Sequence, residues 1–133
     1  MTAVLKKIED HSAELGEGIG KKHISDLETK LGVNIPSDFK EYLLEYNYAE
    51  LYGDPLYGIH RCETLSHIDI YSANKSQEHF RYGFLEVFTN DLDGTIFLRP
   101  DTGAVYNSSF TIPLALSFTE FIERILSEGL DSP

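Results

Sequence analysis

The sequence predicts an α+β protein in which N-terminal helices and one C-terminal helix pack around an antiparallel sheet. Three observations carry that prediction. Apolar residues recur at helical spacing up to Tyr46 and again from Phe118 onward, whereas several stretches between them read as strands cut by tight-turn residues. Helices, then strands, then a helix is the order of an α+β chain, and no β-α-β alternation supports a parallel sheet. A length of 133 residues leaves room for one core, so residues 1–133 are read as a single domain.

Val4, Leu5, Ile8 and Leu15 sit at roughly helical spacing, giving a short amphipathic helix over residues 3–15. The run GEGIG (16–20) is a flexible break. Ser25 and Glu28 have the spacing of a capping box, and Ile24, Leu27 and Leu31 form the stripe of a second helix. Gly32 is placed to end that helix in a left-handed conformation. Pro36 pre-sets φ for a third helix, which Ser37 or Asp38 can cap, and Phe39, Tyr42, Leu43 and Tyr46 share its buried face. Residues 47–55 (NYAELYGDP) read as a loop, with Gly53, Asp54 and Pro55 as breakers. Residues 56–62 (LYGIHRC) read as a first strand with Tyr57 in the core, and 63–83 could hold a strand, a helical turn or both.

FLEVFT (84–89), TIFLR (95–99) and residues 104–107 then form an antiparallel meander, joined by turns at Asp91-Leu92-Asp93-Gly94 and Asp101-Thr102-Gly103. Ser117 and Glu120 make a second capping box, with Leu116 and Phe121 at the two positions of a hydrophobic staple. Phe118, Phe121, Ile122, Ile125 and Leu126 line the buried face of a closing helix, which Gly129 is expected to end.

The formal charge is −11, and acids outnumber bases in both halves of the chain. Such a field repels phosphate backbones and anionic lipid and attracts cationic partners, which argues against direct nucleic-acid binding and against a membrane surface. Hydrophobic residues at 41% and charged residues at 25% are ordinary soluble usage, which excludes wholesale disorder. The opening MTAVLKKIEDH has no apolar run of signal-peptide length, and no membrane-spanning apolar stretch occurs, so the expected location is cytoplasmic. The lone cysteine, Cys62, agrees with a reducing compartment and is expected as a small buried hydrophobe.

Searches for reactive constellations end in exclusions. GEGIG lacks the Lys-Ser/Thr and the preceding strand of a phosphate-binding loop. His11, His23, His60, His67 and His79 form no His-x-x-x-His or His-Glu-x-x-His pair, and no second Cys exists, so no zinc site is expected. Asp91-Leu92-Asp93-Gly94 has the opening of a calcium loop but lacks the further ligands and closing Glu, so a hairpin turn is the simpler reading. No Ser-His-Asp order stands out. The chain is read as a non-enzyme without metal or cofactor.

The run ISDLETKLGVNIPSDFKEYLLEYN (24–47) resembles the N-terminal signature of the Smi/Knr (SUKH) superfamily. Ile24, Leu27, Glu28, Leu31, Gly32, Ile35, Pro36, Asp38, Phe39, Leu43 and Asn47 match that signature in order, and the strands and closing helix downstream resemble the family's second half. The resemblance implies a mixed or antiparallel sheet flanked by helices, and it brings no catalytic residues. It also implies a role: small stand-alone bacterial members are mostly immunity proteins bound to a secreted toxin, often a nuclease, whereas fungal relatives regulate cell-wall synthesis through protein contacts.

Within that frame the surface chemistry points to a protein partner, expected to be a basic toxin domain. At 100° per residue Asp38, Glu41 and Glu45 lie within about 60° of one another, an acidic ridge beside the third helix's core stripe. The plainer reading of that ridge is a solvated face. Tyr48, Glu50, Tyr52 and Asp54 follow directly, and Asp91 and Asp93 project from a turn that could join the same surface. Tyrosine is enriched in interface cores, and acids steer cationic partners. Tyr48 and Tyr52 fit either exposed anchors or core residues. The rival reading is a scaffold or regulator on the same fold, a small hydrolase comes last, and monomer and dimer are both compatible with the sequence.

Overall fold

The computed structural model describes residues 2–12 and 14–131. Three helices come first: α1 (Thr2–His11), α2 (Lys21–Leu31) and α3 (Ser37–Glu45). The strands β1 (Glu50–Leu51) and β2 (Asp54–Pro55) form an antiparallel hairpin. A 3-10 helix (Glu63–Ile68) and two short helices, α4 (Ile70–Asn74) and α5 (Glu78–Arg81), lead into the strands β3 (Leu85–Asn90), β4 (Gly94–Leu98) and β5 (Val105–Tyr106), and α6 (Phe118–Asp131) follows them. The expected α+β class forms, with β3-β4-β5 as an antiparallel meander.

One core joins these elements. Val4 and Ile8 of α1, the α2 stripe of Ile24, Leu27 and Leu31, and Phe39, Tyr42 and Leu43 of α3 are all buried. They meet Leu85, Val87, Ile96, Leu98 and Val105 of the meander and Phe118, Phe121, Ile122 and Leu126 of α6. Phe39 meets Phe118 edge-on with ring centroids 4.9 Å apart. Each such aromatic contributes roughly 1.5–3 kcal/mol through burial. A bulge between Glu86 and Phe88 disturbs the β3 ladder, and the Val87 carbonyl there accepts from Tyr57 N–H at 2.9 Å. The outer edge of β5 is covered by the chain returning through Leu114 and Ala115, so the meander does not end on open backbone.

Several local expectations change. The first helix stops at His11, and Leu15 instead bridges Ala49 in an antiparallel pair. The 16–20 segment is a tight lining of α3 and not a loose break, with Gly16 N–H donating to Tyr48 O at 2.9 Å and Ile19 N–H to Leu43 O at 3.0 Å. A Cβ on Gly16 would lie 2.2 Å from the Tyr46 carbonyl oxygen, and one on Gly18 would lie 2.0 Å from that of Leu44. Glycine is required there by close backbone approach. α2 begins one turn earlier than expected, with Gly20 at its cap, so Ser25 and Glu28 are not a capping box. The Glu28 carboxylate accepts from Ile35 N–H at 2.7 Å and pairs with Lys40 at 3.1 Å. Gly32 does end α2 in the left-handed region, at φ 71°.

The expected loop at 47–55 holds the β1-β2 hairpin, whose Tyr52-Gly53 turn has positive φ at both residues, 54° and 89°. That is the two-residue turn whose twist matches paired strands. The strand expected at 56–62 does not form, because the backbone there changes partner residue by residue: Leu56 bonds Ala49, Tyr57 bonds Val87, and Gly58 bonds Ile68 and Ile70. Residues 63–83 contain the 3-10 helix, α4 and α5. Asn74, fully buried, joins α4 to β3: its amide donates to Ile70 O and Glu86 O, while its Oδ1 accepts from Glu86 N–H at 2.7 Å and faces His79 Nε2 at 2.8 Å. At the closing helix Glu120 N–H donates to Ser117 Oγ at 3.1 Å, so the cap forms. The staple does not, since Leu116 is 71% exposed while Phe121 is buried. α6 also continues through Gly129 to Asp131. Cys62 is exposed, against the expectation of burial.

Candidate partner-binding surface

α3 presents Glu41 and Glu45 to solvent opposite its buried Phe39, Tyr42 and Leu43. Asp38, the third member of the ridge, is engaged inside the fold. Its Oδ2 accepts from Thr119 N–H at 2.9 Å and Thr119 Oγ1 at 3.0 Å, and its Oδ1 from Phe39 N–H at 2.9 Å. An α3 carboxylate therefore accepts from the donors of Thr119 in the first turn of α6.

Beyond α3, Tyr48 donates its phenol proton to Glu50 Oε1 at 2.7 Å. Burial and then the Glu50 bond push that phenol up to about 12. Tyr46 lies between α3 and α1, with its hydroxyl 3.4 Å from both Leu5 O and Glu9 Oε2. Its phenol is also raised, by burial and then by the charges of Glu9 and Glu45. Glu9, Asp10 and Glu14 thereby join Glu45 and Glu50 around the two tyrosines. These three acids of the N-terminal segment were invisible as site residues in the sequence, because their placement depends on α1 packing beside α3. Tyr52, at the hairpin tip, is 51% exposed and donates to the Leu126 carbonyl of α6 at 3.2 Å.

Asp54, Asp91 and Asp93 gather at the turn end of the meander. Burial first, and then the negative charge of Asp91, raise the Asp54 carboxyl above its ordinary range. Asp91 is exposed, while Asp93 is half-buried and pairs with Arg124 at 3.4 Å. The structure thus divides the candidates in two: Glu45, Tyr48 and Glu50 beside the acids of the N-terminal segment, with Glu41 one turn before Glu45 on α3, and Asp54, Asp91 and Asp93 at the meander turn. The β1-β2 hairpin, which carries Glu50 on one strand and Asp54 on the other, links the two groups.

Sequence reasoning also missed a cleft of about 320 Å³ between α2 and residues 59–72, with His23, Lys30, Arg61 and Cys62 in its lining. Arg61 Nη2 donates to His23 Nδ1 at 2.7 Å, and Lys30 and Lys75 stand 5.5 and 5.4 Å from the Tyr71 ring centroid. The hydrogen bond from Thr64, at 2.9 Å, lowers the Cys62 thiol below its ordinary value. Asp69 in the same wall is spent structurally, accepting from His60 N–H and from both donors of Ser72. Among the described residues no group of three His, Cys, Asp or Glu side chains is arranged to hold a metal ion.

Residues 18–124, from the segment before α2 into α6, match the SMI1 / KNR4 family (SUKH-1). A Bacillus subtilis (strain 168) protein described as uncharacterized protein YnaB is 40% identical over 45 residues. That match covers 34% of this chain and 31% of the relative's length, so the aligned stretch spans about a third of each. No helix among the described residues is long and apolar enough to cross a membrane.

Proposed function

The chain belongs to the SMI1 / KNR4 family (SUKH-1), and from that membership we propose that it is an immunity protein, a non-catalytic cytoplasmic binder that neutralises a cognate toxin. The toxin is a nuclease domain, and its basic substrate groove is what the acidic surface occupies. One observation carries this reading: exposed Glu45 joins Glu9, Asp10, Glu14 and Glu50 around Tyr46 and Tyr48, and exposed Glu41 stands one turn before it on α3. Carboxylates held on a folded surface imitate the charge of a phosphate backbone without its scissile bonds. They draw in the groove's Lys and Arg side chains and raise the association rate more than the final affinity. A groove filled in this way excludes nucleic acid by occupancy and by like charge.

Co-expression tests the proposal. A nuclease toxin gene should lie beside the gene for this chain, cells making that toxin should stop growing, and growth should return when this chain is made with it. The purified pair should form a stable complex in which nuclease cleavage is lost. No such neighbouring gene, a growth arrest that this chain does not relieve, or a complex that still cleaves nucleic acid would overturn the reading.

A further inference from the structure

Three aliphatic side chains are the most exposed large hydrophobics among the described residues: Leu92 at 76%, Ile112 at 75% and Leu116 at 71%. A single exposed leucine carries no meaning, since much of any protein surface is apolar. These three come from two segments of the chain, the meander turn and the loop before α6, which meet at Arg124. The Arg124 guanidinium joins them, reaching Leu114 O at 3.4 Å with one nitrogen and Asp93 Oδ1 at 3.4 Å with another. Leu92 precedes Asp93, and Ile112 and Leu116 stand two residues either side of Leu114, so Arg124 ties together the two segments that carry the three side chains.

Local chemistry alone does not put them there. Leu92 occupies a hairpin turn, where Asn, Asp or Gly would serve the backbone better. Leu116 stands where it could staple onto Phe121 and stays in solvent, while its N–H donates to Glu120 Oε2 at 3.2 Å. The surroundings are acidic. Asp54 feels the charge of Asp91, Glu120 is exposed beside Leu116, and the Arg124 charge is matched by Asp93. Apolar residues inside a charged rim are the anatomy of an interface, with the aliphatic groups as anchors.

We propose that the surface of these two segments, with Leu92, Ile112 and Leu116 as anchors and Asp54, Asp91 and Glu120 as rim, docks a basic protein surface that offers apolar pockets flanked by Lys and Arg. The inference rests on the basic-partner reading above and adds to the α1/α3 carboxylates a second face, with apolar anchors, for such a partner. Charge selects this occupant over two others. A second copy joined through the same face would set these acids against themselves, in a chain of net charge −11. An anionic lipid surface would be repelled by the same rim.

Two synthetic peptides test it against the isotope-labelled full chain by NMR titration. One is a cationic amphipathic peptide with Leu among its Lys at helical spacing, and the other is oligolysine. The Lys–Leu peptide should shift the amides of 91–93, 112, 116 and 120. Its Kd should weaken about tenfold in each of Leu92→Ser, Ile112→Ser and Leu116→Ser, roughly what loss of one buried aliphatic anchor predicts. Oligolysine should bind the parent and the variants alike, and the melting temperatures should nearly match because the three side chains are mostly in solvent. Shifts confined to the α1/α3 face, or variants that bind the Lys–Leu peptide like the parent, sink the anchor assignment while oligolysine binding leaves the basic-partner reading standing. Failure of both peptides to bind overturns the two together.

Discussion

Replacing Asp38 with alanine separates a folding role for this carboxylate from a docking role. Asp38 lies 81 residues from Thr119 in sequence, yet it accepts from both the Thr119 amide and its hydroxyl, at 2.9 and 3.0 Å. Losing an acidic cap costs about 0.5–2 kcal/mol, and losing a negative charge at a helix N-terminus adds about 0.3–1 kcal/mol. Together they put Asp38→Ala at about 2 kcal/mol. For a chain of 133 residues, about 1 kcal/mol moves Tm by roughly 3–5 °C, so Tm should fall by roughly 6–10 °C. Asp38→Asn keeps an oxygen for Thr119 without the charge and should lose about half as much. Thr119→Val removes the hydroxyl alone, and a cycle with Asp38→Ala should show a coupling of about 1 kcal/mol in urea unfolding. A variant Asp38→Ala that melts with the parent but associates more slowly with a basic partner would refute the capping role and return the residue to the surface ridge.

Gly18→Ala should cost roughly 2–4 kcal/mol, because its Cβ would meet the Leu44 carbonyl and its φ is 82°. Gly53→Ala, also left-handed but with nothing within 4 Å, should cost only about 1 kcal/mol, and equal losses in urea denaturation would argue against the close backbone approach. The Tyr57 phenol is pushed from 10.0 up to about 12, by burial and then by its bond to Glu86. The unfolded chain therefore loses that proton first, and stability present below pH 10 should decline by about 2–3 kcal/mol as pH rises through 12. Tyr57→Phe should flatten that part of the alkaline decline, and urea curves at pH 8 and pH 11 that change equally in both proteins would show that Tyr57 is not its source. Glu41→Lys with Glu45→Lys should slow association with a basic partner and leave Tm unchanged, both side chains being exposed; a stopped-flow rate equal to the parent's would remove this ridge from the docking face.

The elements legible in the sequence were those governed by neighbours in the chain. The stripes of α2, α3 and α6 follow from helical spacing, and the meander follows from its two turns. Misreadings arose where a distant partner decides the outcome. Residues 56–58 have strand-like composition but bond Ala49, Val87 and Ile68 in turn, so no ladder forms. GEGIG looks flexible until the backbone of α3 lies against it, and Ser25 looks like a cap until Gly20 starts the helix a turn earlier. The candidate site was legible as charge and not as geometry: Glu41 and Glu45 were placed on an exposed face by periodicity alone, whereas the tie from Asp38 to α6 needed the fold.

α1 precedes the residues that match the family, and Ile125 and Leu126 follow them. Yet Val4, Ile8 and Leu126 are at most 1% exposed, and α1 packs on α6. The matched region therefore holds only part of this chain's core. A fragment trimmed to 18–124 would carry a greasy seam along a shortened helix and would self-associate, so anyone borrowing the module for a fusion must keep both flanks.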